Sequence, residues 1–228
     1  MMLQGATRGM RTASRQSWGS RAAPRCSVAA PMKLASPSFS AVPREIPEDI
    51  EKVLFTEEQV KRRVRELARE IVRDYQGKEL IVVGVLKGAY IFMSDLTRAI
   101  AEEGIPSVRI EFVKAASYGA RSVSTGSVDV DLCGATSWEG RHVLLVEDII
   151  DSGNTLSRLA AEVAACDAAG VRVVALLDKR ARRQVPFHAD YVGFEIPDAF
   201  IVGYGLDYDE MYRCLPYVAV LRREVYTK

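Results

Sequence analysis

The feature that most constrains the fold is a short apolar run followed at once by carboxylates and a turn-forming segment. Residues 143–146 read V-L-L-V, which is typical of a strand buried on both faces of a parallel sheet. Glu147 and Asp148 stand where such a strand would leave the sheet, and residues 151–155, D-S-G-N-T, follow as a turn. Apolar residues then recur at helical spacing, so the N–H groups of the turn would lie at a helix N-terminus and could bind phosphate.

The carboxylates limit which phosphate ligand could bind there. No Lys or Arg occurs between Glu147 and Leu156, which excludes the triphosphate loop with its lysine. Carboxylates beside an anion would repel it unless the ligand also carried hydroxyl groups or a divalent cation. A sugar phosphate with Mg²⁺ meets both conditions. The alternative is an ordinary strand–turn–helix connection with capping residues, which explains Ser152 or Thr155 but not Glu147 and Asp148.

The rest of the chain alternates strand and helix patterns. Thr56 and Gln59 form a capping-box pair before an amphipathic helix to about Tyr75, and residues 80–86 predict a second buried strand that ends in Lys87-Gly88. A helix to about 100, strands near 108–113 and 128–132, a helix to about 169 and a strand at 171–177 follow. We therefore predict an α/β fold, a doubly wound and mainly parallel sheet with ligands at the carboxyl ends of its strands.

Charge is distributed unevenly. Residues 1–44 carry seven Lys and Arg and no Asp or Glu among many Ser, Ala and Pro, which is the composition of an organellar transit peptide. Without those seven, residues 45–228 contain 24 of the 31 basic residues and all 30 acidic ones. This part of the chain is therefore net acidic by count, and nothing indicates a nucleic-acid surface. We favour a plastid over a mitochondrion; a basic extension without a targeting role, in a cytoplasmic protein, is the alternative.

Several classes of site and protein are excluded by composition. No apolar stretch approaches 20 residues, which argues against a membrane span. The four cysteines show no C-x-x-C spacing, and His142 and His188 are the only histidines, so neither a zinc site nor a histidine-based centre is predicted.

Residues 146–155, V-E-D-I-I-D-S-G-N-T, resemble the phosphoribosyl-pyrophosphate signature of the type I phosphoribosyltransferase family. More narrowly, residues 45–228 resemble the family's hypoxanthine–guanine branch of bacterial type. Further segments match it in order: V-G-V-L-K-G-A at 83–89, S-Y-G at 117–119, L-L-D-K-R at 176–180 and F-E-I-P-D-A-F-I-V-G-Y-G-L-D-Y at 194–208. The resemblance identifies 1–44 as an extension, 45–228 as the domain, and 186–228 mainly as its smaller hood.

The resemblance implies a purine-salvage enzyme that uses phosphoribosyl pyrophosphate (PRPP), a 6-oxopurine base and Mg²⁺, and that forms a homodimer or homotetramer. Two alternatives stay open: a regulator of the same fold that senses PRPP and binds RNA, and a same-fold enzyme for another base. Lys179, Phe200 and Asp207 on the purine side favour the enzyme.

The resemblance also implies residue roles on the phosphoribosyl side. Asp151 is the expected general base near the purine N7, while Glu147 and Asp148 face the ribose hydroxyls directly or through Mg²⁺, with Asp207 as a further metal ligand. Arg213 lies on the pyrophosphate side, where the family has a cis peptide bond, here between Leu86 and Lys87. The 5-phosphate loop consists of Asp151, Ser152, Gly153, Asn154 and Thr155. The remaining pyrophosphate contacts are Lys87 and Gly88.

On the base side, Lys179 is expected to donate to the purine O6, Phe200 to stack on the ring and Ile201 to offer backbone contacts. Ser117 and Tyr118 belong to a segment, 115–127, that resembles the family's mobile lid. Each role has a plain structural alternative: a solvated Lys87, a surface Lys179 in a basic run, a core Phe200, and a local ion pair between Asp207 and Arg213.

Overall fold

The computed structural model describes residues 46–115, 130–131 and 137–227. Within these ranges a six-stranded sheet has the order β4-β3-β2-β5-β6-β7. All neighbours pair in parallel except β3 and β4, which are antiparallel. The strands are β2 Leu80–Leu86, β3 Arg109–Ala115, β4 Val130–Asp131, β5 His142–Ile150, β6 Gly170–Asp178 and β7 Tyr191–Glu195.

Strand β5 is buried on both faces, as its apolar run predicts. Residues 143–146 are wholly buried, and successive side chains enter two different cores. Val143 and Leu145 pack with helix α3 (Asn154–Ala164), whereas Leu144 and Val146 pack with helices α1 (Glu57–Tyr75) and α2 (Tyr90–Glu102). Helices therefore cover both faces of the sheet, which confirms the doubly wound α/β prediction.

Helix α1 begins as predicted. Thr56 accepts from the Gln59 N–H at 3.3 Å, and the Gln59 side chain accepts from the Thr56 N–H at 2.8 Å. This capping box satisfies two backbone donors that the first turn leaves unpaired. No described helix has the length and apolar character needed to cross a membrane.

A second, antiparallel sheet has the order β1-β9-β8, formed by β1 Ile50–Phe55, β8 Ile201–Val202 and β9 Val218–Leu221. The sequence did not predict β1, because residues 45–52 read as an acidic, proline-flanked lead-in. The strand forms through backbone pairing with distant β9, for example Val53 opposite Ala219. A 3₁₀ turn (Arg180–Arg182) follows β6, and a short helix α4 (Arg223–Tyr226) follows β9.

Three boundaries differ from the sequence prediction. Strand β5 continues through Glu147 and Asp148, since β6 pairs with it as far as Ile150 opposite Asp178. Helix α3 ends at Ala164 rather than near 169, because Asp167 adopts a left-handed φ of +56°. Residues 191–195, expected in the hood, instead add β7 to the main sheet through pairs such as Leu177 with Phe194.

Candidate active site

The turn that the sequence predicts as a phosphate loop lies between β5 and α3. Gly153 caps α3 with a left-handed φ of +83°, a conformation that favours glycine. A Cβ at this position would lie 3.0 Å from the Arg183 Cδ, so the loop also rests on that side chain. Helix α3 thus begins at the carboxyl edge of the sheet, where the N–H groups of a first turn can bind an anion. The first of them, the Asn154 N–H, donates to the Ser152 Oγ at 3.3 Å.

A cavity of about 300 Å³ opens beside this turn. It brings together most predicted residues of the phosphoribosyl side. Those lining it are Lys87, Gly88, Glu147, Asp148, Asp151, Ser152, Gly153, Thr155, Asp207 and Arg213. Asn154 is not among them, because its side-chain amide donates to the Gln184 Oε1 at 2.8 Å.

Two adjacent carboxylates lie on the cavity wall in an environment that disfavours charge. Burial raises the pKa of Glu147 well above its usual value, and the neighbouring Asp148 raises it further. Burial also raises the pKa of Asp148, although hydrogen bonds from Glu147 and the Ile149 N–H and the charge of Arg213 lower it. The pair therefore holds a proton more tightly than free carboxylates, and a cation beside it would favour the ionised form.

The Lys87–Gly88 loop is fitted closely between these carboxylates and the 205–213 segment. The Leu86–Lys87 peptide bond is cis, as the resemblance predicted. A Cβ on Gly88 would lie 2.6 Å from the Asp148 Cγ, and a Cβ on Gly205 would lie 3.2 Å from the Gly88 carbonyl carbon. No side chain fits at either position without displacing its neighbour, so both glycines are required by close approach.

Arg213 is held on the other side of the same cavity. Its Nη1 donates to the Gly205 carbonyl at 2.8 Å, and its Nη2 lies 2.9 Å from the Asp207 Oδ1. The local ion pair considered from the sequence does exist. It also lines the cavity, so it presents a cation and a carboxylate to any ligand bound there.

A second cavity of about 230 Å³ is lined by the residues predicted for the base side. Lys179 lines it with only 6% of its surface exposed, so it is not the surface lysine that its basic run also suggested. Phe200 and Ile201 form part of the wall. Phe200 also stacks on Tyr226 with ring centroids 4.8 Å apart, and therefore serves the core of the small sheet as well.

Asp151 stands where the two cavities meet. Both are lined by Asp148, Ile149, Asp151 and Asp207. The Asp151 Oδ1 is buried with no hydrogen-bond partner among the described residues, and the nearest cation is Arg182, whose Nε lies 3.6 Å away. Although Arg182 forms an ion pair with this oxygen, no hydrogen bond from the described residues occupies it, so it can accept a proton from a ligand that spans both cavities.

Sequence reasoning missed Gly205 and Arg182, and two residues that it did assign to the site are not among those described. Gly205 lies inside the 194–208 segment that resembles the family, so the sequence could have indicated it. Arg182 was interpreted only as part of a basic run. Ser117 and Tyr118 lie outside the described residues, as does nearly all of the 115–127 segment.

Comparison with known proteins agrees with this geometry. Residues 52–209 match the model of the phosphoribosyl transferase domain. The hypoxanthine-guanine phosphoribosyltransferase of Bacillus subtilis (strain 168) is 47% identical over 178 residues, which cover 78% of this chain and 97% of the relative. The chain belongs to the hypoxanthine phosphoribosyltransferase family.

Two further members of that family extend the comparison. A structure of the hypoxanthine phosphoribosyl transferase of Trypanosoma cruzi has a TM-score of 0.74 and 44% identity to this chain. The match covers 80% of this chain and 96% of that one. The Listeria innocua bifunctional protein TilS/HprT is 47% identical over 180 residues, 79% of this chain. The chain spans only 27% of the length of that relative.

The residues of this phosphoribosyltransferase site also suit Mg²⁺. This ion is commonly held by one or two carboxylates together with substrate phosphates. Glu147 and Asp148 would supply oxygen ligands; burial is the first cause of their raised pKa values and disfavours their ionised forms, and Asp207 lines the same cavity. A divalent cation would stabilise the ionised form of this pair, so Glu147 and Asp148 fit the ion when substrate oxygens complete its coordination. Among the described residues, no three carboxylate, His or Cys side chains are grouped closely enough to hold a metal ion by themselves.

Proposed function

We propose that this chain transfers a 5-phosphoribosyl group from PRPP to hypoxanthine or guanine in purine salvage, giving IMP or GMP and pyrophosphate. The observation that carries the proposal is that the phosphate-loop cavity and the Lys179 cavity share the wall containing Asp151. A sugar phosphate in the first cavity and a base in the second would meet at this carboxylate. A regulator that only senses PRPP has no need of a buried lysine on the base side.

The phosphoribosyl half follows from the loop geometry. Backbone N–H groups at the start of α3 and the hydroxyls of Ser152 and Thr155 bind the 5-phosphate. Glu147 and Asp148 accept hydrogen bonds from the ribose hydroxyls. Lys87 and Arg213 neutralise pyrophosphate as it leaves, while Gly88 lets the backbone approach it closely.

Mg²⁺ would be held by Glu147, Asp148 and Asp207 together with substrate oxygens, and it supplies charge stabilisation for the departing pyrophosphate. The protein contributes the orientation of these carboxylates. Strand β5 carries two of them, and the Asp207 carboxylate is held by the 2.9 Å contact with Arg213.

The base half selects and deprotonates the purine. Lys179 donates to the exocyclic O6, which adenine lacks, Phe200 stacks on the ring, and Ile201 offers its backbone to the base edge. Asp151 accepts the N7 proton through its Oδ1. Because a carboxylate is a weak base at neutral pH, this transfer accompanies bond formation at the anomeric carbon rather than preceding it.

The test is a Mg²⁺-dependent assay of the full chain with PRPP against hypoxanthine, guanine, xanthine and adenine, with nucleotide and pyrophosphate both measured. Products from hypoxanthine and guanine but not from adenine support the proposal. PRPP binding without any nucleotide would favour the regulator, and turnover of another base would favour the same-fold alternative.

We further propose that the chain forms a homodimer or homotetramer, and that residues 1–44 direct it to an organelle, a plastid before a mitochondrion. Light scattering coupled to gel filtration tests the first proposal, and a monomeric mass would contradict it. Fusing residues 1–44 to a fluorescent reporter tests the second. A diffuse cytosolic signal would contradict the targeting role, and the cytoplasm would then be the proposed location.

A further inference from the structure

One carboxylate on the pyrophosphate side has no role in the reaction described above. The Glu210 Oε2 accepts from the Lys87 Nζ at 3.1 Å and from the Arg213 Nη2 at 3.3 Å. A single oxygen thus bridges the two cations assigned to pyrophosphate.

The backbone presents Glu210 to these cations. Its N–H donates to the Asp207 Oδ2 at 2.9 Å, and Tyr208 and Met211 close the turn through a pair of backbone hydrogen bonds. Glu210 has a left-handed φ of +61° and Asp209 one of +50°. Non-glycine residues adopt this region infrequently, so the turn is a specific conformation and not an ordinary loop.

We propose that Glu210 is a positioning residue, an internal counter-ion that holds Lys87 and Arg213 in the ligand-free chain and is displaced when a diphosphate binds. This inference rests on the proposed function, because it takes pyrophosphate and the diphosphate of PRPP as the ligands that compete for the two cations. Carboxylate and phosphate oxygens compete for the same N–H donors and the same positive charge, so a bound diphosphate weakens the contacts of these cations with Glu210.

The exposure of the three side chains shows how displacement would occur. Lys87 and Glu210 are 62% and 63% exposed, so each can turn towards solvent without disturbing the core. Arg213 is only 16% exposed and stays bound to the Gly205 carbonyl. Exposed ion pairs are weak, so Glu210 lowers diphosphate affinity by a modest factor and does not block the site.

The experiment is isothermal titration of the full chain with inorganic pyrophosphate in the presence of Mg²⁺. Glu210→Gln keeps the shape and removes the charge, and we expect its Kd for pyrophosphate to fall about three- to tenfold. Glu210→Ala should move the Kd in the same direction. Asp209→Asn is the matched control, since it removes the same charge from the adjacent exposed residue and Asn tolerates a positive φ.

A gain in affinity is informative because a variant that merely damaged the fold would bind more weakly. The difference in pyrophosphate Kd between Glu210→Gln and the unaltered chain should also shrink as the salt concentration is raised, because screening weakens the ion pairs of the unaltered chain. Pyrophosphate binding no tighter in Glu210→Gln and Glu210→Ala, or equally tightened in Asp209→Asn, would overturn the inference. If the unaltered chain makes nucleotide and binds pyrophosphate while the Glu210 variants show no gain, only the role of Glu210 fails. If it does neither, the proposed function fails with it.

Discussion

Replacing Gly205 by Ala tests whether the fit of the Lys87–Gly88 loop controls activity. Gly205 has a φ of +105°, and the added Cβ would lie closer than 3.0 Å to the Gly88 carbonyl oxygen. That oxygen belongs to backbone that also packs against Asp148, so no flexible side-chain end can yield. The loop would have to move by roughly 1 Å, and a misplacement of that size costs about 100-fold in rate.

Gly104→Ala provides a matched control. Gly104 has a similarly unfavourable φ of +124°, but a Cβ there would meet no atom within 4 Å, and the residue lies in the turn before β3, away from the carboxyl ends of the strands. Both substitutions carry a backbone strain of about 1–3 kcal/mol. The clash with Gly88 is present in Gly205→Ala alone.

The assay measures kcat and KM for PRPP and hypoxanthine, with urea unfolding of both variants in parallel. We expect both to lose about 1–3 kcal/mol of unfolding free energy through backbone strain, with a further loss in Gly205→Ala from the clash. Gly205→Ala alone should lose about 100-fold in kcat/KM for PRPP. Equal activity in the two variants would refute the reasoning, because the contact with Gly88 would then have no functional consequence.

Three other predictions follow from the same site. Asp151→Asn should lower kcat far more than it raises the KM for PRPP or for hypoxanthine, since an amide cannot accept the N7 proton. An unchanged rate in single-turnover assays would contradict that role. Lys179→Met removes the donor and should raise the free-energy barrier for hypoxanthine by about 1.5–3 kcal/mol, the cost of losing a charged hydrogen bond. That loss lowers kcat/KM by roughly 10- to 150-fold, while any trace activity with adenine stays level; an equal loss with both bases would point to damaged packing instead. The pKa of Glu147 is raised in the folded state. The ligand-free fold therefore loses stability as pH rises above the unfolded pKa of about 4.3. In urea unfolding without Mg²⁺, Glu147→Gln should be more stable than the unaltered chain at pH 8 and nearly equal to it near pH 4. Exposed Glu51→Gln is its control, and equal stability of Glu147→Gln and the unaltered chain at pH 8 would contradict the account.

The sequence predicted the elements whose patterns are local. The apolar run at 143–146, the capping box at Thr56 and the strand at 80–86 each determine their structure through neighbours a few residues away. The burial of β5 on both faces followed from its unbroken apolar run. Most of the candidate site was found in the same way, because its residues stand directly after such strands or within segments that resemble the family.

Other features depend on contacts between distant parts of the chain, and these only the tertiary structure decided. Strand β1 forms by pairing with β9 more than 160 residues later, and Gly205 is required by the carbonyl of Gly88. The raised pKa values of Glu147 and Asp148 come from burial, and Glu210 contacts Lys87 across a separation of 123 residues. Residue types and spacings along the chain determine which chemistry is available at this site. The distances, burial and charge balance that control it arise only when the separate segments pack together, because electrostatic and steric effects depend on separation in space and not on position in the sequence.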